Sequence, residues 1–259
     1  MLALGYSSTP LFSLVTWGNA WLQHDLPMRG VYHRSSCFRP WRDYHQVLPG
    51  LDGRTYDPLD WLEHIRGESR ILGLRHCRDP VVQDRIEVGV DWVLSVHGAG
   101  QTSLIASPRA TGYFAPEVLW SGAEDLPLVR APLDEAEAGL RAVLEEGLAF
   151  TGADDWSGLF QGGLNALDGT QDFQCLGDNM TPRVRVEELM PKKHYGPQCW
   201  SLLGASLLTN LPGAGMGGWS EYAGPPGTMD GWTRAGEIAT RLREARILAG
   251  LSVLNLHSV

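Results

Sequence analysis

Hydrophobic and polar residues alternate most regularly over residues 85–97, where every second position is apolar: Ile86, Val88, Val90, Trp92, Leu94 and Val96. Such period-two alternation of β-branched and aromatic residues is typical of a strand. The glycines of Gly98-Ala-Gly100 then predict a turn into a second strand over residues 102–106. We therefore expect an antiparallel hairpin whose first strand is central to a sheet.

Two further segments are interpreted as strands. Val184 and Val186 alternate with Arg185 and Glu187 within residues 183–189, and residues 11–17 form a short apolar run. Between Trp17 and Trp41 the periodicity is weak, so this Trp-, Arg-, His- and Pro-rich stretch is expected to be irregular.

Helical spacing appears first after Asp57-Pro58, which is the pairing of an N-cap residue with a proline at the first helical position. Leu59, Leu62 and Ile65 repeat at helical intervals until Gly67, which predicts a short helix.

A longer helix is predicted over residues 135–149. Asp134 precedes it, and Glu137 is placed to complete a capping box. Its apolar face consists of Leu140, Val143, Leu144 and Leu148.

Two more helices are predicted towards the C-terminus. One begins at Pro197 and ends before Pro212-Gly213, with an apolar stripe of Trp200, Leu203, Leu207 and Leu211. The other has an apolar face of Ala235, Ile238, Ala239 and Leu242, and we expect Glu237 to pair with Arg241 one turn later.

Hairpin-type strands mixed with a few amphipathic helices predict an α+β fold, in which an antiparallel sheet packs with helices. At 259 residues, with 43% hydrophobic and 20% charged residues, we interpret residues 1–259 as a single domain, with an N-terminal third of uncertain organisation.

Charge and apolar runs exclude several classes of partner. The 21 Lys and Arg against 30 Asp and Glu give a net charge of -9, without the basic stripe of a nucleic-acid-binding protein. No run approaches the ~20 apolar residues of a membrane span, and the first ten residues lack a basic signal-peptide region. The four cysteines form no Cys-x-x-Cys pair, so free thiols in the cytoplasm are the simplest interpretation, with two disulfides in an oxidising compartment as the alternative.

Motifs for cofactors or catalysis are incomplete. Gly213, Gly215 and Gly218 match the spelling of a dinucleotide-binding loop, but the required strand and helix do not flank them. His97-Gly98-Ala99-Gly100 is similar to a strand end that supplies an oxyanion-hole amide, yet the chain has no G-x-S-x-G nucleophile. We therefore predict no cofactor.

Scattered residues leave an enzyme as an alternative, with a site assembled from His97, His194, Cys199 and the pair Asp154-Asp155. Cys199 lies in the opening turn of an apolar helix, which favours a buried packing thiol over a nucleophile. The eight histidines show no metal-ligand spacing, and no metal site is predicted. The acidic pairs Glu145-Glu146 and Asp154-Asp155 are interpreted as solvated surface.

Aromatic residues point instead to protein binding. The chain has ten tryptophans, and aromatic side chains are enriched at protein interfaces. Trp219, Glu221 and Tyr222 lie in a glycine- and proline-rich loop, with Trp232 just beyond it, and these four residues are the predicted partner-binding site. Local packing that anchors the loop is the alternative.

Several segments of the second half, in a fixed order, resemble a family of type VI secretion immunity proteins. They are Tyr113-Phe-Ala-Pro-Glu-Val-Leu119, the helix at 137–146 with Gly147-Leu-Ala-Phe150, Ser157-Gly-Leu159 to Leu164-Asn165, Cys199-Trp-Ser-Leu-Leu-Gly204 to Leu211-Pro-Gly213, and residues 234–248. Pro212 stands where the family tends to glycine, and the loop at 213–231 and the N-terminal third have no counterpart.

This resemblance implies a non-enzymatic protein that binds and neutralises a cognate toxin, and no binding residue carries over. The sequence thus favours an immunity protein whose partner is a protein toxin, with an enzyme of unknown class as the alternative. A structural or phage-assembly component, which forms ordered oligomers, is a third interpretation, and self-association into a homo-oligomer stays open.

Overall fold

The chain was described by a computed structural model. The structure describes residues 4–24, 26, 28–43, 47–50, 52–67, 71–85, 92–98, 100–106, 118–124, 126–152, 156–170, 186–209 and 229–256. Its contacts divide the chain into two compact units. The sheet unit comprises residues 6–129, 187–194 and 254–259, and the helical unit comprises residues 1–5, 130–186 and 195–253.

The sheet unit contains the described strands and most of the short helices. Its helices are α1 (Leu4–His24, which begins in the other unit), α2 (Met28–Arg34), the 3-10 turn Ser36–Phe38, α3 (Arg39–Asp43), α4 (Pro58–Arg66) and α5 (Pro80–Gln83). Its strands are β1 (Leu48–Pro49), β2 (Thr55–Tyr56), β3 (Ile71–His76), β4 (Trp92–Gly98), β5 (Gln101–Ala106) and β6 (Val118–Gly122).

Four antiparallel strands form the main sheet in the order β3-β4-β5-β6. The predicted hairpin is confirmed, since Gly98 pairs with Gln101 across its turn. β4 lies between two partners, and its residues from Trp92 to His97 are buried on both faces of the sheet. The predicted strand over residues 85–97 is therefore confirmed for its second half. Residues 86–91 lie outside the described residues, and Arg85, where the predicted strand began, lies in the turn after α5.

Two asparagines complete the outer edge of β3. Asn19 on α1 accepts a hydrogen bond from the Leu72 amide at 2.8 Å and donates to the Leu72 carbonyl at 2.7 Å. Asn255 does the same for Leu74 at 2.9 and 3.0 Å, and it also donates to the Val129 carbonyl at 2.9 Å. An open strand edge presents unpaired backbone groups, and these two side chains satisfy them.

The interpretation of residues 11–17 as a strand is wrong, because this segment belongs to helix α1. The same residues also carry the helical spacing Leu11, Leu14 and Val15, all of them buried. A helix that is buried on most sides has no polar face to reveal its 3.6-residue period. The buried Thr16 hydroxyl bonds to the Phe12 carbonyl at 3.1 Å, a contact within one helical turn.

Residues 186–189 were also misassigned, since they form a single helical turn, α8 (Val186–Leu189), and not a strand. Tertiary contacts hold this turn. The Glu188 carboxylate accepts from the Ser36 amide at 2.7 Å, and its carbonyl accepts from the Trp17 indole at 3.0 Å. The rest of the predicted strand, 183–185, lies outside the described residues.

The short helix after Asp57 is confirmed as α4, and its first turn forms as the sequence predicted. The Asp57 carboxylate accepts from the amides of Leu59 at 2.8 Å and Asp60 at 3.2 Å. Pro58 occupies the position where a missing N–H does no harm.

The helical unit is built from four longer helices among the described residues: α6 (Leu133–Thr151), α7 (Ser157–Leu167), α9 (Pro197–Leu208) and α10 (Met229–Leu254), of which the last residue belongs to the sheet unit. Two glycines let α6, α7 and α9 pack closely. A Cβ at Gly147 would overlap the Phe160 ring, and a Cβ at Gly163 would overlap the Thr209 side chain. The three predicted helices of this half of the chain are confirmed, and Leu211 of the second lies outside the described residues.

Polar contacts on these helices differ from those predicted. The capping box is wrong, because α6 begins before Asp134 and has no side-chain cap. Glu137 bonds instead to Gln198 at 3.2 Å and to Arg141 at 3.3 Å. Glu237 pairs with Arg234 at 3.0 Å and not with Arg241, which bonds to Glu146 at 2.6 Å.

The α+β fold class is confirmed by the antiparallel sheet and the helices that accompany it. No helix in the described ranges is both long and apolar enough to span a membrane. The single-domain interpretation stays a prediction beside the two units.

Candidate functional site

Trp232 is the member of the predicted binding site that lies within the described residues. It belongs to the first turns of α10, and 46% of its surface is exposed. The other described tryptophans are buried or half-buried. The loop residues Trp219, Glu221 and Tyr222 lie outside the described part of the chain, so their placement beside Trp232 stays a prediction.

Charged side chains hold the helix that carries Trp232. Arg234 donates to Glu237 on its own helix at 3.0 Å and also to Glu146 on α6. Arg241 donates to the second oxygen of Glu146 at 2.6 Å. One carboxylate therefore links two turns of α10 to α6. Glu146, interpreted above as simply solvated, is a partly buried bridge, whereas Glu145 is exposed.

This arrangement suits a contact surface. The hydrogen bond that Arg234 donates to Glu237 and the charge of Glu146 raise the pKa of Arg234, so this guanidinium stays positive at physiological pH. The ion pairs with Glu146 restrict the backbone of α10 near Trp232, whose indole is exposed. An aromatic side chain that is already ordered loses less entropy when a partner covers it.

Cys199 is a packing residue, as the sequence predicted. The side chain is 3% exposed, and burial raises the pKa of its thiol. Cys37 is buried in the sheet unit, where burial raises its thiol pKa to about 12. Only the thiolate is a nucleophile, and neither thiol ionises near neutral pH. Cys37, Cys77 and Cys199 are in the thiol form, and Cys175 lies outside the described residues.

The histidines among the catalytic candidates contact neighbouring side chains of the sheet unit. His97 is buried in β4, with its Nδ1 atom 3.3 Å from the Thr102 hydroxyl across the hairpin. The His194 ring stacks on His24, with centroids 4.5 Å apart. Both histidines belong to the sheet unit, whereas Cys199 belongs to the helical unit. The pair at 154–155 lies outside the described residues, and the structure does not test the assembled enzyme site.

Two buried arginines were not predicted. Arg75 in β3 is fully buried and donates to the Asp79 carboxylate at 2.6 Å and to the carbonyls of Leu126 and Pro127 at 2.9 and 2.8 Å. Arg246 in α10 is 9% exposed. Arg246 had a signal in the sequence, because it lies four residues after Leu242 and so continues the predicted apolar face. Arg75 had none, because the carbonyls that it contacts lie 51 and 52 positions away in the chain.

Within the ranges that the structure covers, no group of three or more His, Cys, Asp and Glu side chains is arranged to hold a metal ion. Models of known protein families, curated proteins and solved structures were compared with this chain, and none matches it.

Proposed function

We propose that this chain is an immunity-type protein that binds and neutralises a cognate type VI secretion toxin in the cytoplasm. The observation that carries the proposal is the exposed indole of Trp232 on the anchored helix α10. The resemblance of the second half to immunity proteins supplies the class of partner.

An exposed tryptophan is a strong candidate for a binding anchor. Truncation of such residues at interfaces commonly costs 2 kcal/mol or more, about a thirtyfold change in affinity. Trp232 and Leu248 are the exposed large hydrophobic side chains among the described residues. They lie sixteen residues apart on α10, which at 100° per residue places them about 160° apart around the helix. The two side chains therefore lie on different sides of α10. We take Trp232 as the anchor of the proposed interface.

Charge supports a basic partner. The net charge of -9 attracts a positively charged toxin and speeds its encounter with the chain, an effect that salt weakens. Two carboxylates near the anchor, Asp230 and Glu237, are exposed on the first turns of α10.

The burial of Cys199 and of Cys37 favours binding over the alternative of a cysteine-based enzyme. Because burial raises both thiol pKa values, a Cys-His mechanism has no activated nucleophile at either residue.

The test begins with the neighbouring coding sequence. If it specifies a secreted toxin, the two proteins are produced together and co-purified, and the dissociation constant is measured by calorimetry at low and high salt. Trp232→Ala should weaken binding at least tenfold without a fall in melting temperature, because the indole contacts solvent in the free protein. Leu248→Ala is the matched control, since it removes an exposed apolar side chain from another side of the same helix.

Retained affinity in Trp232→Ala excludes this surface as the interface. The double variant Trp219→Ala, Tyr222→Ala then tests the loop separately, and a large fall in its melting temperature indicates that these aromatics anchor the loop. Neighbouring genes for metabolic enzymes, or no complex with a neighbouring toxin, remove the proposal in favour of catalysis.

A further inference from the structure

Arg246 occupies a position where the pattern of α10 calls for an apolar side chain. Ala235, Leu242 and Ala249 are buried on the same face of this helix, and Arg246 lies between the last two at helical spacing. A long charged side chain at such a position is normally replaced by an apolar one or supplied with a partner.

No carboxylate pairs with Arg246 among the residues that the structure describes. Elsewhere in the helical unit, Arg141 has Glu137 and Asp168, and Arg234 and Arg241 share Glu146. Burial, together with the like charge of Arg243 one turn earlier, lowers the pKa of Arg246 to about 10. The guanidinium is therefore positive at neutral pH, and the second charge acting on it has the same sign.

The sheet unit contains a buried arginine that is paired with a carboxylate. Arg75 is more deeply buried, and it bonds to the Asp79 carboxylate and to two backbone carbonyls. The structure gives Arg246 no such bond in its described surroundings. Since an uncompensated buried charge destabilises the fold, its presence calls for another role.

Small residues follow Arg246 on its face of the helix. The next neighbours one turn on are Ala249 and Gly250, whose side chains are small. Gly250 faces α9, where an added Cβ would lie 3.2 Å from the Ser206 hydroxyl. That hydroxyl is already used, because it donates to the backbone carbonyl of Arg246 at 2.8 Å.

We propose that Arg246, with Arg243 beside it, binds a small oxyanion, either a carboxylate or a phosphate group. A guanidinium presents two parallel N–H donors that match both groups, and the binding energy rises where water is scarce. The anion supplies the negative charge that the described protein groups do not. This site is independent of Trp232 and of the proposed toxin.

The first experiment measures melting temperature in inorganic phosphate, in acetate and in chloride at equal ionic strength and pH. We expect a saturable rise of about 3–6 °C at a tenfold excess over the dissociation constant in phosphate or in acetate. A response to phosphate alone assigns a phosphate group, and a response to acetate alone assigns a carboxylate. Equal melting curves in all three salts overturn the proposal.

The second experiment compares Arg246→Met with the parent chain. Methionine keeps much of the length and apolar character of the side chain, so the variant should melt at or above the parent temperature in chloride and lose the response to the anion. Arg141→Met is the control, because it removes an ion-paired arginine from the same unit and should keep the response.

Arg246→Lys provides a second variant if methionine prevents folding. Lysine keeps the charge without the planar fork, so anion affinity should fall at least tenfold while the chain stays folded. If Arg246→Met melts several degrees lower and keeps the anion response, or if Arg246→Lys binds as the parent does, the arginine is structural and the proposal fails.

Discussion

Three cysteines show how local surroundings set the chemistry of one residue type. Cys37 and Cys199 are buried, whereas Cys77 is half-exposed in the turn after β3, with its sulfur 3.8 Å from the His76 Nδ1 atom. Burial disfavours the charged thiolate, which is the form that reacts. The three thiols should therefore differ in reactivity.

We expect a thiol-specific alkylating reagent at pH 8 to modify Cys77 at least tenfold faster than Cys37 or Cys199 in the native protein. The raised pKa values leave these two thiols almost entirely protonated at that pH, and burial also blocks access. Peptide mass spectrometry over time measures each rate, and the denatured chain provides the control. Comparable native rates at the three sites would contradict the assigned burial.

At the scale of the element, β4 is an inner strand of the main sheet. It pairs with β3 and β5, and Leu94 in its middle is buried. The predicted importance of this strand rested partly on Val90, which lies outside the described residues. Leu94 allows the same idea to be tested within them.

Leu94→Asp should unfold the protein at 25 °C, because an unpaired buried carboxylate costs several kcal/mol, comparable to the whole stability of a domain. Circular dichroism and the urea midpoint measure the effect. Gln101→Asp is the matched control, since position 101 is exposed on the neighbouring strand and should change the midpoint little. A parent-like midpoint for Leu94→Asp would show that β4 is peripheral to stability.

At the scale of the whole molecule, the sheet unit is assembled from three separate stretches of chain. Asn255, from the last of them, bonds to Leu74 in the first, 181 positions away, and to Val129. Closing so long a loop has an entropic cost, and the hydrogen bonds of Asn255 offset part of it.

Asn255→Ala should lower the free energy of unfolding by about 2–4 kcal/mol, because it removes the partner of the buried amide and carbonyl of Leu74 and of the partly buried Val129 carbonyl. Urea titration measures the loss. Asn165→Ala is the control, since the Asn165 amide bonds to the exposed Gln161 side chain and should cost below about 0.5 kcal/mol. If both variants lower the free energy of unfolding equally, Asn255 does not stabilise the edge of β3.

Several local features were predictable from the sequence alone. The N-cap at Asp57, the turn at Gly98 to Gly100 and the apolar faces of α6 and α10 depend on residues within a few positions of each other. Such interactions follow from backbone geometry and side-chain periodicity, so the helices and the hairpin could be predicted before the fold was known. Of the candidate binding site, the sequence selected Trp232, and its exposure required the structure.

Other features were decided by tertiary structure. Residues 11–17 are helical, and they are buried on most sides. Because no polar face remains, the helical period is hidden in the sequence. Residues 186–189 are helical where Glu188 meets Ser36, 152 positions away. Asn19 and Asn255 are ordinary polar residues in sequence, and they become edge seals because the fold brings each to β3. Arg75 is paired with Asp79 four residues later, but its contacts with the carbonyls of Leu126 and Pro127 come from a distant part of the chain. Arg246 has no carboxylate among the described residues, and no local pattern distinguishes the two arginines.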